Sequence, residues 1–100
     1  MNRGIEWSLS ALNDLDQTIA YIARDDPAAA RKVAALIGRS ATALGLRPIG
    51  RPGRVPGSYE KSITGLPYVI AFAVPDDSRV VVLRVIHTAR DWPSGNWPRD

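Results

Sequence analysis

The sequence predicts an α+β fold: an N-terminal strand, then a helical hairpin packed on a three- to four-stranded, mainly antiparallel sheet. Two observations lead to this prediction. In the first half of the chain, apolar residues recur at three- and four-residue steps, which is the spacing of amphipathic helices. In the second half, three strand-like runs are separated by short turn sequences. At 100 residues the chain is expected to form one domain spanning residues 1–100.

The first strand and the first helix are predicted from the N-terminal quarter of the chain. Residues Ile5–Trp7 form a short apolar segment typical of an edge strand. Either Ser8 or Ser10 can then offer a side-chain oxygen to the first helical turn. The helix should end near Asp25, because a proline two residues later disfavours helical geometry in the residue before it. Its predicted buried stripe is Leu12, Leu15, Ile19 and Ile22.

The second helix is predicted to begin at Asp26-Pro27, a good N-cap and first-turn pair. Gly45 is predicted to end it in a left-handed conformation. From Gly45 to Gly57 the chain carries four glycines and three prolines in thirteen residues, so we expect a loop without regular structure. The predicted buried stripe of this helix is Ala30, Val33, Ala34, Ile37, Ala41 and Leu44.

Three strands are predicted after the loop, at Tyr59–Ile63, Pro67–Val74 and Arg79–His87. Thr64-Gly65 and the Asp76-Asp77-Ser78 segment are good turn sequences, so the three strands should form an antiparallel meander. The middle run, YVIAFAV, has no charged side chain and should therefore be a central strand, covered at least in part on both faces.

The composition limits the class of protein. With 45% apolar and 23% charged residues it is that of an ordinary globular protein. No apolar run approaches the length of a membrane span, and the N-terminus lacks a signal-peptide core, so we expect a cytoplasmic protein without membrane contact. There is no cysteine and one histidine, which makes a metal site improbable, and we predict neither metal nor cofactor.

The basic charge is concentrated downstream of the helices. Residues 1–44 carry five basic and five acidic side chains, which cancel. Between Gly45 and Lys61 a single acid, Glu60, stands against four cations. Such a cluster favours phosphates or an acidic partner, although a solvated surface is the alternative for each arginine alone. The four cations are Arg47, Arg51, Arg54 and Lys61.

The end of the last strand carries a second group of cations. His87 lies on the rigid strand, with Arg84 before it and Arg90 just beyond it. If the strand is regular, alternation puts Arg84 and His87 on opposite faces, and only a bulge or a strand end near His87 brings them to one site. Other polar and aromatic residues have structural interpretations: Asp14 and Asp16 as a solvated helix face, and Trp7 and Trp92 as packing.

The chain resembles the RelE/ParE toxins of type II toxin–antitoxin systems over nearly its whole length. The resemblance rests on IEWSLSALNDLDQTIAYIA, on DPAAARKVAALI, on GRPGRVPG followed by YEKSITGLPYVIAFAV, and on VVVLRVIHTARDW. It implies a growth-inhibiting, plasmid-stabilising toxin in a hetero-oligomer with its antitoxin, whose amphipathic C-terminal segment wraps the toxin. The candidate antitoxin contacts are Leu12, Leu15, Ile19 and Trp97.

The resemblance implies one of two targets, and the sequence leaves them nearly even. RelE-like members cut mRNA on the ribosome, whereas ParE-like members poison DNA gyrase. For RNA cleavage the candidate catalytic residues are His87, Arg84, Glu60 and Lys61, and the candidate target-binding residues are Arg51, Arg54, Lys61 and Arg90.

Two departures from the nuclease pattern count against RNA cleavage. Leu66-Pro67-Tyr68 stands where several nucleases have an inward-pointing arginine. Thr88-Ala89 follows the histidine, where those enzymes often have a tyrosine. A third interpretation is a non-toxic basic module that binds nucleic acid through charge alone, and such binding would weaken steeply with salt.

Overall fold

A computed structural model describes residues 3–88, in which two helices pack on one face of a five-stranded sheet. In chain order the elements are β1 (Gly4–Trp7), α1 (Leu9–Ala23), α2 (Pro27–Leu46), β2 (Arg51–Pro52), β3 (Tyr59–Ser62), β4 (Tyr68–Asp76) and β5 (Arg79–His87). The strands lie in the order β1-β5-β4-β3-β2. β1 runs parallel to β5, and the other neighbours are antiparallel. The α+β class, the N-terminal edge strand and the meander are therefore confirmed.

The sheet has one more strand than predicted, because two residues of the loop pair with β3. Arg51 lies opposite Glu60, and Pro52 lies opposite Tyr59. The expectation of a loop without regular structure was therefore wrong at these two positions. A proline is tolerated here because an edge strand does not need every backbone donor. Gly57, with φ of +85°, helps the chain turn back into β3.

α1 begins where β1 ends, and Ser8 links the two elements to β5. The Ser8 Oγ accepts a hydrogen bond from the Ala11 N–H at 3.0 Å, which confirms Ser8 as an N-cap. The Ser8 hydroxyl also donates to the Leu83 carbonyl at 2.8 Å. This bond fixes the start of α1 against β5 and decides which face of the helix turns inward.

The inward face of α1 differs from the predicted stripe. Ala11 is fully buried, whereas Leu12 is 42% exposed. Leu15 packs against the core but is only partly buried. The prediction of Leu12 as a buried residue was wrong, because α1 turns the small Ala11 into the core and leaves Leu12 at the surface.

α2 follows the predicted pattern except at its C-terminal end. Asp26 caps it, since its Oδ1 accepts from the Ala29 N–H at 3.0 Å. The helix continues through Gly45 to Leu46, so the prediction that Gly45 ends it in a left-handed conformation was wrong. The Gly45 carbonyl instead accepts from the Arg3 N–H at 2.8 Å, and a Cβ at Gly45 would lie 2.5 Å from the Arg3 carbonyl oxygen. Glycine is therefore required at position 45, because the backbone of Arg3, just before β1, leaves no room for a side chain.

The core lies between the helices and one face of the sheet. β4 and β5 supply half of its buried side chains among the described residues, and the opposite face of the sheet holds a second, smaller cluster of Val69, Ala71 and Ile86. β4 is thus buried on both faces, which confirms it as a central strand. Neither described helix is both long and apolar enough to cross a bilayer. The fully buried large residues are Ile37, Ile70, Phe72, Val80 and Val82.

Candidate functional site

His87 and Arg84 lie on opposite faces of the sheet. Arg84 pairs with Ala71, whereas His87 pairs with Tyr68 on the face that the helices cover. A bulge is present in β5, where Ala71 and Phe72 pair with Arg84 and Val82 and leave Leu83 between them. The bulge precedes Arg84, so alternation from Arg84 to His87 is uninterrupted. The two side chains therefore leave β5 on opposite faces, but the Arg84 guanidinium bonds to Asp14 of α1, a residue that also lines the cleft around His87.

Arg84 is held by Asp14 of α1. The Arg84 Nε donates to Asp14 Oδ2 at 2.7 Å, and a second guanidinium nitrogen donates to Oδ1 at 2.9 Å. The Val85 N–H also donates to Oδ2 at 2.9 Å. The two side chains are only 18% and 13% exposed. The prediction that Asp14 belongs to a solvated helix face was therefore wrong, whereas Asp16 is exposed as predicted.

Glu60 is the centre of a cationic cluster on the face of the sheet opposite the helices. It lies in one row with Ala71 and Arg84 across β3, β4 and β5. Its Oε2 accepts from the Arg54 N–H at 3.0 Å and from the Arg54 Nε at 3.2 Å. Arg51 reaches Oε1 at 3.6 Å. The structure thus brings together Arg51, Arg54 and Glu60, which we call the Glu60 cluster.

The electrostatics of the Glu60 cluster favour an ionised carboxylate. Glu60 is only 5% exposed, and burial alone would raise its pKa. The backbone and side-chain hydrogen bonds from Arg54, together with the positive charges of Arg54 and Arg51, outweigh burial, so the pKa of Glu60 lies below its ordinary value. A buried carboxylate held in this way fixes the loop that carries the two arginines, whose side chains are about half exposed.

Replacing Glu60 with glutamine is expected to lower the free energy of unfolding by about 1–2 kcal/mol at pH 7. The lowered pKa in the folded state means that the carboxylate stabilises the fold above its unfolded pKa, and that this contribution is lost as pH falls through the folded pKa. The difference between wild type and Glu60→Gln should therefore shrink below about pH 4. Urea unfolding at pH 7 and pH 3 measures this, with the exposed Asp25→Asn as control. An equal difference at both pH values would contradict the assignment.

Lys61 does not join the Glu60 cluster. It pairs with Ile70, whose side chain lies in the core beneath the helices, so Lys61 points to the helix-covered side. There it lines a cavity of about 490 Å³ near the C-terminal end of α2. Arg90 lies outside the described residues. Of the predicted cations, only Arg51 and Arg54 are brought into one site with Glu60 among residues 3–88.

His87 occupies a separate cleft between α1 and the ends of β4 and β5. The cleft has a volume of about 600 Å³. The Tyr68 and His87 rings meet edge to face, with centroids 5.3 Å apart. Glu60 lies on the other side of the sheet, so the two candidate proton-transfer groups do not share a cavity. The polar and aromatic lining is completed by Asp14, Gln17, Thr18 and Tyr21.

The candidate antitoxin contacts are partly accessible. Leu12 is exposed, Leu15 and Ile19 are partly buried, and Trp97 lies outside the described residues. Sequence reasoning missed two exposed apolar residues, Leu46 and Ile49, which flank the cavity that Lys61 lines. Among residues 3–88, no group of three or more His, Asp or Glu side chains could hold a metal ion.

Comparison with known proteins gives a consistent result. A family profile described as "ParE toxin of type II toxin-antitoxin system, parDE" matches residues 5–92. The "Putative toxin Y4kP" of Sinorhizobium fredii is 42% identical over 90 residues, which are 89% of this chain and 92% of that protein.

Two solved structures have a similar fold. One, titled as a chromosomal ParDE system of P. aeruginosa, has a TM-score of 0.79 at 24% identity, covering 85% of this chain and 95% of that one. The other, titled as the toxin–antitoxin complex RelBE2 of Mycobacterium tuberculosis, has a TM-score of 0.65 at 22% identity, covering 87% and 99%. At this identity the likeness is one of fold.

Proposed function

The chain belongs to the ParE toxin family of type II toxin–antitoxin systems, and from this premise we propose that it arrests growth by binding DNA gyrase rather than by cutting mRNA. The observation that supports gyrase over mRNA is the separation of His87 from Glu60 by the sheet, with the Arg84 guanidinium held by the Asp14 carboxylate. Such a toxin acts in the cytoplasm, where gyrase and its DNA are found. Family membership also favours a toxin over a non-toxic basic module.

RNA cleavage needs groups that this arrangement keeps apart. A base for the 2′-hydroxyl, an acid for the leaving oxygen and cations for the phosphorane must all converge on one phosphate. His87 lies in the cleft on the helix-covered side, while Glu60 lies on the other face. Glu60 is also a weak base, because two arginines hold its pKa low. Arg84 is already bound by Asp14.

The Glu60 cluster is the surface proposed to bind the target. Arg51 and Arg54 present about half of each side chain to solvent, on a loop fixed by the buried carboxylate between them. A fixed arginine loses less conformational freedom on binding than a mobile one, and its planar guanidinium suits carboxylates and phosphates. An acidic protein surface offers carboxylates, and the DNA held by gyrase offers phosphates.

A cognate antitoxin is the second proposed partner. The titles of the two neighbours of similar fold name a toxin–antitoxin system and a toxin–antitoxin complex. By analogy, this chain is proposed to form a hetero-oligomer with an antitoxin that neutralises it. Leu46 and Ile49, which remain exposed near the end of α2, are consistent with such a partner.

The test uses purified, antitoxin-free protein in two assays. Gyrase supercoiling of plasmid DNA should be inhibited, while cell-free translation should proceed with intact mRNA ends by primer extension. The variant Arg51→Gln should weaken gyrase inhibition by about tenfold through loss of a charged contact. Arg39→Gln on the exposed side of α2 is the matched control and should not change inhibition.

The variant His87→Ala decides between the two targets. Under the gyrase proposal it inhibits supercoiling as well as wild type does. Cuts in translated mRNA that disappear in His87→Ala, with supercoiling unaffected by wild type, would overturn the proposal in favour of a ribosome-dependent nuclease.

A further inference from the structure

We propose that the cleft around His87 binds a nucleobase, presented by a free nucleoside or by a single strand of nucleic acid. The cleft has a volume of about 600 Å³, which is within the range of pockets that hold small ligands. It lies across the sheet from the Glu60 cluster, so this binding goes beyond the proposed function and does not depend on it. We call it the His87 cleft. Its aromatic rings and uncharged polar groups come from Gln17, Thr18, Tyr21, Tyr68 and His87.

Half of the aromatic side chains that the structure describes line the His87 cleft. Residues 3–88 contain six aromatic side chains, counting histidine, and three of them, Tyr21, Tyr68 and His87, lie here. The cavity near the C-terminal end of α2, by contrast, has no aromatic group among the described residues that line it. Tyr21 is 70% exposed, so its ring is accessible to a ligand. Because accessible aromatic rings stack on flat ring systems, the His87 cleft favours a planar ligand.

The Tyr68 and His87 rings form a corner in the cleft. Their planes meet at 88°, and their centroids are 5.3 Å apart. The two residues are neighbours in the register of β4 and β5, so the sheet holds both rings in place. Perpendicular rings offer one face and one edge to the space between them. A third flat ring can therefore stack on one and meet the other edge to face.

The polar groups of the His87 cleft favour a ligand that forms hydrogen bonds without charge. The Asp14 carboxylate is bound by the Arg84 guanidinium and the Val85 N–H, so its charge is offset within the protein and does not require a cationic ligand. Gln17 and Thr18 lie beside it on the same face of α1. Their amide and hydroxyl both donate and accept hydrogen bonds.

A nucleobase combines these two requirements. It is a flat, uncharged ring with hydrogen-bond donors and acceptors at its edge. The apolar ring of a phenylalanine from a protein partner would cover Gln17 and Thr18 without bonding to them, and covered polar groups without partners are costly. The chemistry of the lining therefore favours a base over an apolar side chain.

The first test is titration of the purified protein with adenosine, guanosine, cytidine and uridine, followed by NMR chemical shifts. At least one nucleoside should bind with a dissociation constant of about 0.1–1 mM, as expected for a ligand of this size. Tyr21→Ala should weaken that binding by about tenfold, because a stacking ring is lost, whereas Tyr21→Phe should stay within about threefold of wild type. Leu9→Ala, at an 84% exposed residue of the same helix, is the control and should bind as wild type does.

Ligand controls identify the chemistry that is bound and its source. Ribose lacks the base and should bind at least about tenfold more weakly than the nucleoside. A single-stranded tetranucleotide that binds more tightly than the nucleoside, and loses affinity in Tyr21→Ala, identifies nucleic acid as the source of the base. Equal affinity of the two identifies a free nucleoside. A tetranucleotide without bases retains the phosphates, and its binding as tightly as the intact strand would overturn the proposal.

Two further results would also overturn the His87 cleft as a base-binding site. One is the absence of nucleoside binding below about 10 mM, and the other is wild-type affinity in Tyr21→Ala. Circular dichroism checks that this variant is folded, and if it is not, Gln17→Ala serves instead, with binding expected to weaken about threefold.

Gyrase inhibition is the readout that separates this inference from the proposed function. Tyr21→Ala should inhibit supercoiling as well as wild type does, because the His87 cleft and the Glu60 cluster lie on opposite sides of the sheet. Loss of inhibition in this variant would overturn the independence of the two surfaces. A wild-type protein that binds nucleosides but does not inhibit gyrase would overturn the proposed function and leave the base-binding cleft intact.

Discussion

Replacing Asp14 with alanine is expected to lower the free energy of unfolding by about 3 kcal/mol, a large share of the stability of a 100-residue domain. One carboxylate binds both the Arg84 guanidinium and the Val85 N–H, and both side chains of the ion pair are largely buried. Without the carboxylate, the buried Arg84 guanidinium loses this ion-pair partner, and the Val85 N–H loses its acceptor. The second loss is added to the first.

Urea unfolding of Asp14→Ala and Asp16→Ala measures this effect. Asp16 lies two residues along the same helix and is exposed, so its replacement should change the free energy of unfolding by less than about 0.5 kcal/mol. A double-mutant cycle with Arg84→Met then separates the ion pair from the bond to Val85. Equal effects of the two alanine variants would show that the ion pair contributes nothing to stability.

Much of the fold follows from local sequence signals. Residue type alone predicts a cap at Ser8 or Ser10 and another at Asp26, and the caps form at Ser8 and Asp26. The last strand spans Arg79–His87 as predicted. These features depend on a few neighbouring residues, so their physical causes are present in the sequence as it stands.

The inward face of α1 could not be predicted from large apolar residues alone. Ala11, Asp14, Leu15 and Thr18 recur at helical spacing, and this face turns towards the sheet. If small and polar residues are allowed on the buried face, the helical spacing predicts that Asp14 lies on it. Its partner lies 70 residues away, however, and nothing local shows that a strand donates an arginine and an N–H to the same point.

The candidate site was predicted from residue types, and the fold places its members on different faces of the sheet. Alternation predicts that Arg84 and His87 leave the strand on opposite faces, and the strand register agrees, but it does not predict that the Arg84 guanidinium bonds to Asp14 beside the His87 cleft. The location of a bulge is likewise a property of how two strands pair. The Glu60 cluster depends on the loop folding back so that Arg51 and Arg54 meet one carboxylate. Such contacts arise from tertiary packing, which neither periodicity nor charge counting reports.

The second large effect is expected at Gly45, where alanine should lower the free energy of unfolding by about 2–3 kcal/mol despite its better helix propensity. An added Cβ would lie 2.5 Å from the Arg3 carbonyl oxygen and 3.2 Å from Ile5 Cδ1. The segment before β1 cannot easily move away from α2, because the Arg3 N–H donates a hydrogen bond to the Gly45 carbonyl. Thermal or urea unfolding measures the loss.

Gly38 is the matched control in the same helix. Nothing lies within 4 Å of a Cβ built there, so Gly38→Ala should raise the free energy of unfolding by about 0.5–1 kcal/mol through helix propensity. Opposite signs at Gly38 and Gly45 would establish close approach, rather than glycine's flexibility, as the reason for Gly45. Equal stabilisation at both would contradict the crossing.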